Sequence, residues 1–198
     1  MSSVLVIATG NKHKYAEIAG FLRGVPVQLA SLADFPPVEP PEETGVTFEE
    51  NAVLKARYYA ERLGSPCVAD DSGIVIDALN GEPGVCSARY AGEGCTDDDN
   101  NAKVLAMLQG VPEEKRTGRY ICIAALAGMN GQVHTVEGAV EGRIASGLRG
   151  NNGFGYDPMF IPEGHDKTFG ELDPSIKAGI SHRFRAFSQI RTMLESAL

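Results

Sequence analysis

Val4-Leu5-Val6-Ile7-Ala8-Thr9-Gly10-Asn11-Lys12-His13-Lys14 runs from an unbroken apolar segment through a small polar loop into charged residues. An uninterrupted apolar run of this length has the pattern of a strand buried on both faces. Asn11 has the chemistry of a helix N-cap, which predicts a helix over residues 12–23. Working outward, residues 25–32 read as a second strand, and Phe35-Pro36-Pro37 with Pro40-Pro41 makes a stiff loop. Thr47-Phe48-Glu49-Glu50 has the form of a capping box and starts a helix running to about residue 63, which Gly64-Ser65-Pro66 stops. Cys67-Val68-Ala69 leads as a short strand to Asp70-Asp71-Ser72-Gly73, and residues 74–79 resume a strand pattern. Thr96 caps a further helix whose first turn carries Asp97, Asp98 and Asp99, where the helix dipole favours anions. Residues 120–129 and 132–140 flank Asn130-Gly131, a two-residue hairpin signal. Residues 147–158 form a glycine-rich loop, and a last helix covers residues 182–196. With no internal repeat, low-complexity tract or linker, this order predicts one continuous α/β unit with a mixed sheet and a central groove.

The bulk composition narrows the function classes. The chain has 198 residues, 43% hydrophobic and 22% charged, as for a globular protein with one sizeable core. No apolar run approaches the roughly 20 residues of a membrane span. The N-terminal residues enter the first strand without the basic flank of a signal peptide, so the chain is expected in the cytoplasm and away from membranes. A net charge of −8 argues against a general grip on nucleic acid, although an acidic protein can hold a polyanion locally through a metal ion and a few focused cations. Cys67, Cys86, Cys95 and Cys122 are scattered, with no zinc-ligand spacing, and read as reduced core thiols.

Several segments carry chemistry. With Asn11 as the N-cap, the amides of Lys12, His13 and Lys14 are donors at a positive helix end, suited to a phosphate. Lys14 leans back toward the same anion, and Gly10 permits close backbone approach. A well-capped helix after a buried strand explains the same residues without a ligand, and the Walker pattern is absent. Glu42-Glu43-Thr44-Gly45 precedes the second helix. Asp70-Asp71-Ser72-Gly73 is open between a tight Asx turn and a pair of acids joined by a cation, for which magnesium, with its preference for carboxylate oxygens and phosphates, is suited. Phe48, Ala52, Ala56, Tyr59 and Leu63 form an apolar stripe. Asn51 and Lys55 lie at its edge, where Lys55 either snorkels to solvent or reaches into the groove. Phe154-Gly155-Tyr156-Asp157-Pro158 sets two aromatics in a glycine loop, as anchors on the core or as stacking faces for a base. Lys177, Ser181, His182 and Arg183 form a polar group of donors entering the last helix.

Together these segments resemble the inosine/xanthosine triphosphate pyrophosphatase family, the non-canonical purine NTP pyrophosphatases. The matching pieces are Thr9-Gly10-Asn11 with Lys14, Glu42-Glu43-Thr44-Gly45, Phe48 with Glu50-Asn51-Ala52 and Lys55-Ala56, Ala69-Asp70-Asp71-Ser72-Gly73, Pro83-Gly84 with Ser87-Ala88-Arg89-Tyr90, Phe154-Gly155-Tyr156-Asp157-Pro158, and Ser181-His182-Arg183. They occur in order over residues 4–190, and their sequence as a set is specific where each alone is weak. Phe184-Arg185 departs from the commoner Gly-Lys of the family.

The resemblance implies an α/β fold, an elongated mixed β-sheet with two α/β lobes flanking a central substrate cleft, in one domain over residues 1–198. It implies Mg2+ as cofactor, a homodimer, and hydrolysis of ITP, dITP and XTP to the monophosphate and pyrophosphate. It assigns the phosphates to Thr9, Gly10, Asn11, Lys12, His13, Lys14 and Lys55, the metal to Glu43 and Asp71, and the general base to Asp71. Asp70 stands behind the metal pair, Ser72 touches substrate, and Arg89 is a further phosphate contact. Phe154, Gly155, Tyr156, Asp157, Lys177, His182 and Arg183 hold the base and its neighbouring phosphates. The rival expectations are a Maf-like pyrophosphatase of pyrimidine or modified nucleotides, and a nucleotide sensor without catalysis.

Overall fold

Leu5 and Ile7 point to one face of the first strand, and Val6 and Ala8 to the other, because successive side chains of a strand alternate. Both faces are apolar because both are covered. The computed structural model describes residues 4–196. Its strands are Val4–Ile7 (β1), Gln28–Ser31 (β2), Cys67–Ile76 (β3), Thr117–Ala127 (β4), Val133–Ile144 (β5) and Phe160–Pro162 (β6). Its α-helices among the described residues are Lys12–Phe21 (α1), Phe48–Leu63 (α2), Asp97–Met107 (α3), Pro174–Ile180 (α4) and His182–Ser196 (α5). The strands form one sheet in the order β2-β1-β3-β4-β5-β6. β1 pairs in parallel with β2 and β3, whereas β5 and β6 are antiparallel, so the sheet is mixed, as expected. No helix among the described residues is long and apolar enough to cross a membrane.

The chain divides into two compact units. The first comprises the described residues through Asp71, with Cys122–Gly138 and the chain from Arg183 onward; the second comprises Ser72–Ile121 and Ala139–His182. In the first unit, Leu5 and Ile7 pack with Ile18 and Leu22 of α1 and its flank and with Phe187 and Ile190 of α5. On the other face Val6 and Ala8 meet Ala52, Ala56 and Tyr59, the stripe expected on α2. The second unit has its own core, built on Ile74, Ile76, Val104, Ile144, Phe160 and Phe169.

Local cap chemistry sets the helix starts. Asn11 accepts hydrogen bonds from the amides of His13 and Lys14. The Thr47 hydroxyl accepts from the Glu50 amide while the Glu50 carboxylate accepts from the Thr47 amide, closing the capping box. Gly64 ends α2 in the left-handed region at φ 61°, where glycine escapes the Cβ penalty.

The structure differs from expectation in several places. β2 is Gln28–Ser31 rather than residues 25–32, and α1 stops at Phe21. Asp70-Asp71-Ser72-Gly73 is no turn: β3 runs extended from Cys67 to Ile76, its carboxylates paired with cations instead of folding back on their own amides. The β4–β5 connection closes through Gly128 and Gln132 (Gly128 N to Gln132 O, 2.9 Å), longer than a two-residue hairpin at Asn130-Gly131. α4 was not anticipated; Asp173 caps it and Pro174 occupies its first turn. Of the four free thiols, Cys67 and Cys122 are buried as expected, but Cys86 is exposed. Burial pushes the Cys67 thiol up to about 12.

Candidate active site

The alternation of β3 decides what Asp70 and Asp71 can do. Val68 belongs to the face covered by α1 and α5, and Cys67 and Ala69 to the face covered by α2. Asp70 and Asp71 continue that alternation and enter two separate networks of cations.

On the α2 face, the Lys55 ammonium lies 2.8 Å from Asp71 Oδ1 and 3.3 Å from Glu43 Oε1. One cation thus joins two carboxylates that are 28 positions apart in the sequence (71 − 43). The loop bearing Glu43 is latched to α2 by Asn51, which is fully buried. Its Oδ1 accepts from the Gly45 amide at 2.8 Å, its Nδ2 donates to the Gly45 carbonyl at 3.3 Å, and Nδ2 also lies 3.5 Å from Asp71 Oδ2. A Cβ at Gly45 would sit 2.6 Å from Asn51 Oδ1, so only glycine fits there. Burial pulls the Lys55 ammonium down, but the charges of Asp71, Asp70 and Glu43 outweigh it and raise the ammonium above its ordinary value. Asp71 is also raised, because burial, with Glu43 adding to it, outweighs the pull of Lys55.

On the opposite face, Asp70 Oδ2 is 3.2 Å from the Lys14 ammonium and 3.3 Å from both Nε and Nη2 of Arg183. Arg183 Nη1 is 2.5 Å from Glu17 Oε2. The Asp70 and Arg183 side chains are 1% and 2% exposed, so these charges are almost wholly withdrawn from water. Burial alone would raise the Asp70 carboxyl; Lys14 and Arg183 overcome it and hold the carboxyl well below the carboxylate range. Arg183, expected to hold the base and its neighbouring phosphates, is packed in this network at the start of α5. The amides of His13 and Lys14, expected as open phosphate donors, both donate to Asn11 Oδ1, because the cap satisfies the donors its helix start leaves over. Gly10, Asn11, Lys12 and His13 are exposed at this helix start, and Thr9 Oγ1 accepts from the Asn11 amide at 3.2 Å.

The second unit gathers the aromatic loop. Phe154 N donates to Asp157 Oδ2 at 2.9 Å, and the Lys177 ammonium lies 2.6 Å from the same oxygen. That ammonium also stands 4.6 Å from the centroid of the Phe154 ring, a cation–π distance. Gly153 is at φ 78° and its missing Cβ would fall 2.0 Å from Asp157 Oδ2, so the carboxylate closes onto the loop only because residue 153 is glycine. Tyr156 is buried and donates from its hydroxyl to the Ser87 carbonyl at 2.7 Å. His182 is buried and stacked on Tyr120, ring centroids 4.6 Å apart and 8° from parallel. Ser72, half-buried, follows Asp71 on β3.

The structure therefore brings together Glu43, Lys55 and Asp71, joins Lys14 to Asp70, and joins Phe154, Asp157 and Lys177. Glu17 and Asn51 stand in these networks without having been assigned to them. Glu17 is three residues beyond Lys14, the spacing of neighbours on one helix face, and that signal was available. Asn51 was visible as a polar residue at the edge of an apolar stripe and within the matching piece Glu50-Asn51-Ala52, with no role attached to it.

The chain is similar to known proteins along almost its whole length. A protein of Geobacter sulfurreducens named dITP/XTP pyrophosphatase is 48% identical over 190 residues, covering 96% of this chain and 96% of its own. One of Desulforamulus reducens with the same name is 47% identical over 190 residues, covering 96% of this chain and 94% of its own. The solved structure of a HAM1 protein from Coxiella burnetii superposes with a TM-score of 0.88 at 42% identity, covering 98% of this chain and 99% of that one. The Ham1 family model matches residues 5–193, a span that contains every residue of the three networks, and the chain belongs to the Ham1 family.

Proposed function

We propose that this chain hydrolyses the α–β phosphoanhydride of non-canonical purine nucleoside triphosphates, dITP, ITP and XTP, to the nucleoside monophosphate and pyrophosphate, and so cleanses the nucleotide pool. The observation that carries it is the Lys55 ammonium set between Glu43 and Asp71. Two relatives nearly half identical to this chain bear the name dITP/XTP pyrophosphatase, which supports the same reading.

The donor set fits magnesium. This ion takes one or two protein carboxylates and completes its shell with water and substrate phosphate, and Glu43 and Asp71 already converge on a cation, the Lys55 ammonium. Glu43 and Asp71 would hold the ion. Bound there, it supplies charge neutralisation on the phosphate tail. Lys55 and Lys14 extend positive charge to the phosphates, helped by the N-terminus of α1. Asp71, raised by burial, orients the attacking water and takes its proton. The family resemblance adds two elements to the proposal, a homodimer and a cytoplasmic place of work.

Selection of the base rests on hydrogen bonding. Hypoxanthine and xanthine present a 6-keto acceptor, adenine a 6-amino donor. The Lys177 ammonium, held by Asp157 beside the Phe154 ring, is a donor suited to the keto oxygen. It would meet adenine donor to donor, and an unpaired buried polar group costs about 1–3 kcal/mol. Sites built around such a bond discriminate by up to about 10⁴-fold. Guanine shares the keto group, so its rejection rests on its 2-amino group.

Pyrophosphate release measured with Mg2+ across dITP, ITP, XTP, ATP, GTP and UTP tests the proposal. Fast release from dITP, ITP and XTP, with ATP at least about 10²-fold slower in kcat/KM, is expected. Preference for UTP would favour a Maf-like enzyme, and binding without any release would favour a sensor; either outcome refutes the proposal.

A further inference from the structure

The loop of residues 154–157 is held from outside as well as from within. Asp97, the first residue of α3, accepts from the Gly155 amide at 2.7 Å. Asn101, one turn further along α3, donates from Nδ2 to the Gly155 carbonyl at 3.0 Å. Residues i and i+4 share a helix face, so α3 grips both polar groups of one glycine. That glycine is at φ 62°, in the left-handed region that favours glycine, and a Cβ added there would meet nothing within 4 Å, so the two hydrogen bonds from α3, not side-chain crowding, hold the peptide. Asn100, between the two, accepts from the Ala91 amide at 2.8 Å and donates to the Ala88 carbonyl at 3.3 Å, so the same turn of α3 also secures the segment around Arg89.

None of this is needed to start α3. Its capping box is made by Thr96 and Asp99: the Thr96 hydroxyl accepts from the Asp99 amide, and the Asp99 carboxylate accepts from the Thr96 amide. Asp97 is exposed, yet its carboxylate is spent on a backbone amide 58 residues away in sequence. Gly155 lies between Phe154, whose ring carries the Lys177 ammonium, and Tyr156, anchored on Ser87. Fixing the Gly155 peptide therefore fixes the setting of both aromatics.

We propose that Asp97 and Asn101 are positioning residues that set the 154–157 loop for recognition of the purine ring of a 6-keto nucleoside triphosphate. This rests on the function proposed above, because it deepens the role given there to Phe154, Asp157 and Lys177.

The test compares wild type, Asp97→Ala and Asp97→Asn by steady-state kinetics on dITP and dATP and by hydrogen exchange of residues 152–158 without nucleotide. Asp97→Ala is expected to raise KM for dITP about tenfold, the worth of one hydrogen bond to a charged acceptor. It should narrow the dITP-to-dATP ratio of kcat/KM and speed exchange across the loop. Its kcat should stay within about twofold of wild type, since the chemistry is untouched. Asp97→Asn keeps an acceptor oxygen and removes the charge, so it should restore most of the KM and the slow exchange. Equal effects of the two variants would reduce Asp97 to a favourable charge at a helix N-terminus and overturn the proposal. Wild-type KM, ratio and exchange in Asp97→Ala would also overturn it. A wild-type chain that leaves dITP intact would refute the proposed function instead, and the exchange comparison would then decide alone whether Asp97 holds the loop.

Discussion

Asp71→Asn is expected to lower kcat for dITP by about 10²- to 10⁴-fold at saturating Mg2+, the range in which a positioned general base contributes. Asparagine keeps the shape of the side chain and its place on β3 but cannot take a proton from water. KM for dITP should move by less than about threefold, because a group that acts mainly in the transition state shows its loss in kcat. The substitution also removes the negative charge that faces Lys55 at 2.8 Å, and half of the carboxylate pair, so a higher Mg2+ concentration is needed to reach saturation. Steady-state kinetics across Mg2+ concentrations measures both effects. Turnover at the wild-type rate would withdraw Asp71 from the reaction.

Arg183→Met should cost about 3–5 kcal/mol of stability, because removing one partner of a buried ion pair strands the other. Here the stranded groups are Asp70, whose side chain is 1% exposed, and Glu17. The pH dependence carries a second signature. Asp70 is held below its ordinary value of 3.8, so in the wild type it contributes stability that is present above about that pH and is lost as pH falls through the lower folded value. Without Arg183 the pull on the carboxyl is weaker, the folded and unfolded values move closer, and the fall in Tm on acidification becomes shallower. Thermal unfolding between pH 7 and pH 2 measures both. A variant with unchanged Tm and a raised KM for dITP would make Arg183 a contact to the base or its neighbouring phosphates, as the family resemblance implies, and not a structural ion pair.

Much of this was legible because the decisive signals are local. Caps at Asn11, Thr47 and Thr96 use side chains within three residues of the amides they satisfy, so α1, α2 and α3 could be started from the sequence. The apolar run at Val4 announced a strand covered on both faces, and the stripe on α2 announced which residues it buries. The middle of β3 stays open in the sequence because two adjacent acids followed by serine and glycine carry the composition of a turn as well as that of a carboxylate pair. What keeps them extended is supplied from far along the chain: Lys14, Lys55 and Arg183, the last of them 113 residues from Asp70. The same remoteness hid the division of labour between the two acids. Strand alternation separates Asp70 from Asp71 whatever their chemistry, but it becomes visible only once the segment is known to be a strand. Arg183 followed the same course: its place in the Ser-His-Arg motif suggested a ligand contact, and its burial against Asp70 and Glu17 depends on the packing of α5 on α1.

In the proposed reaction Glu43 and Asp71 share a divalent cation with the phosphates of a purine nucleotide. The most direct measurement is a crystal structure of the chain with Mn2+ and the non-hydrolysable α,β-methylene analogue of dITP, recorded at the manganese absorption edge. An anomalous peak bound by the Glu43 and Asp71 carboxylates and by phosphate oxygens, with the Lys55 ammonium turned to the phosphates, is the predicted result. Manganese and triphosphate bound elsewhere, with Lys55 still seated between Glu43 and Asp71, would contradict it.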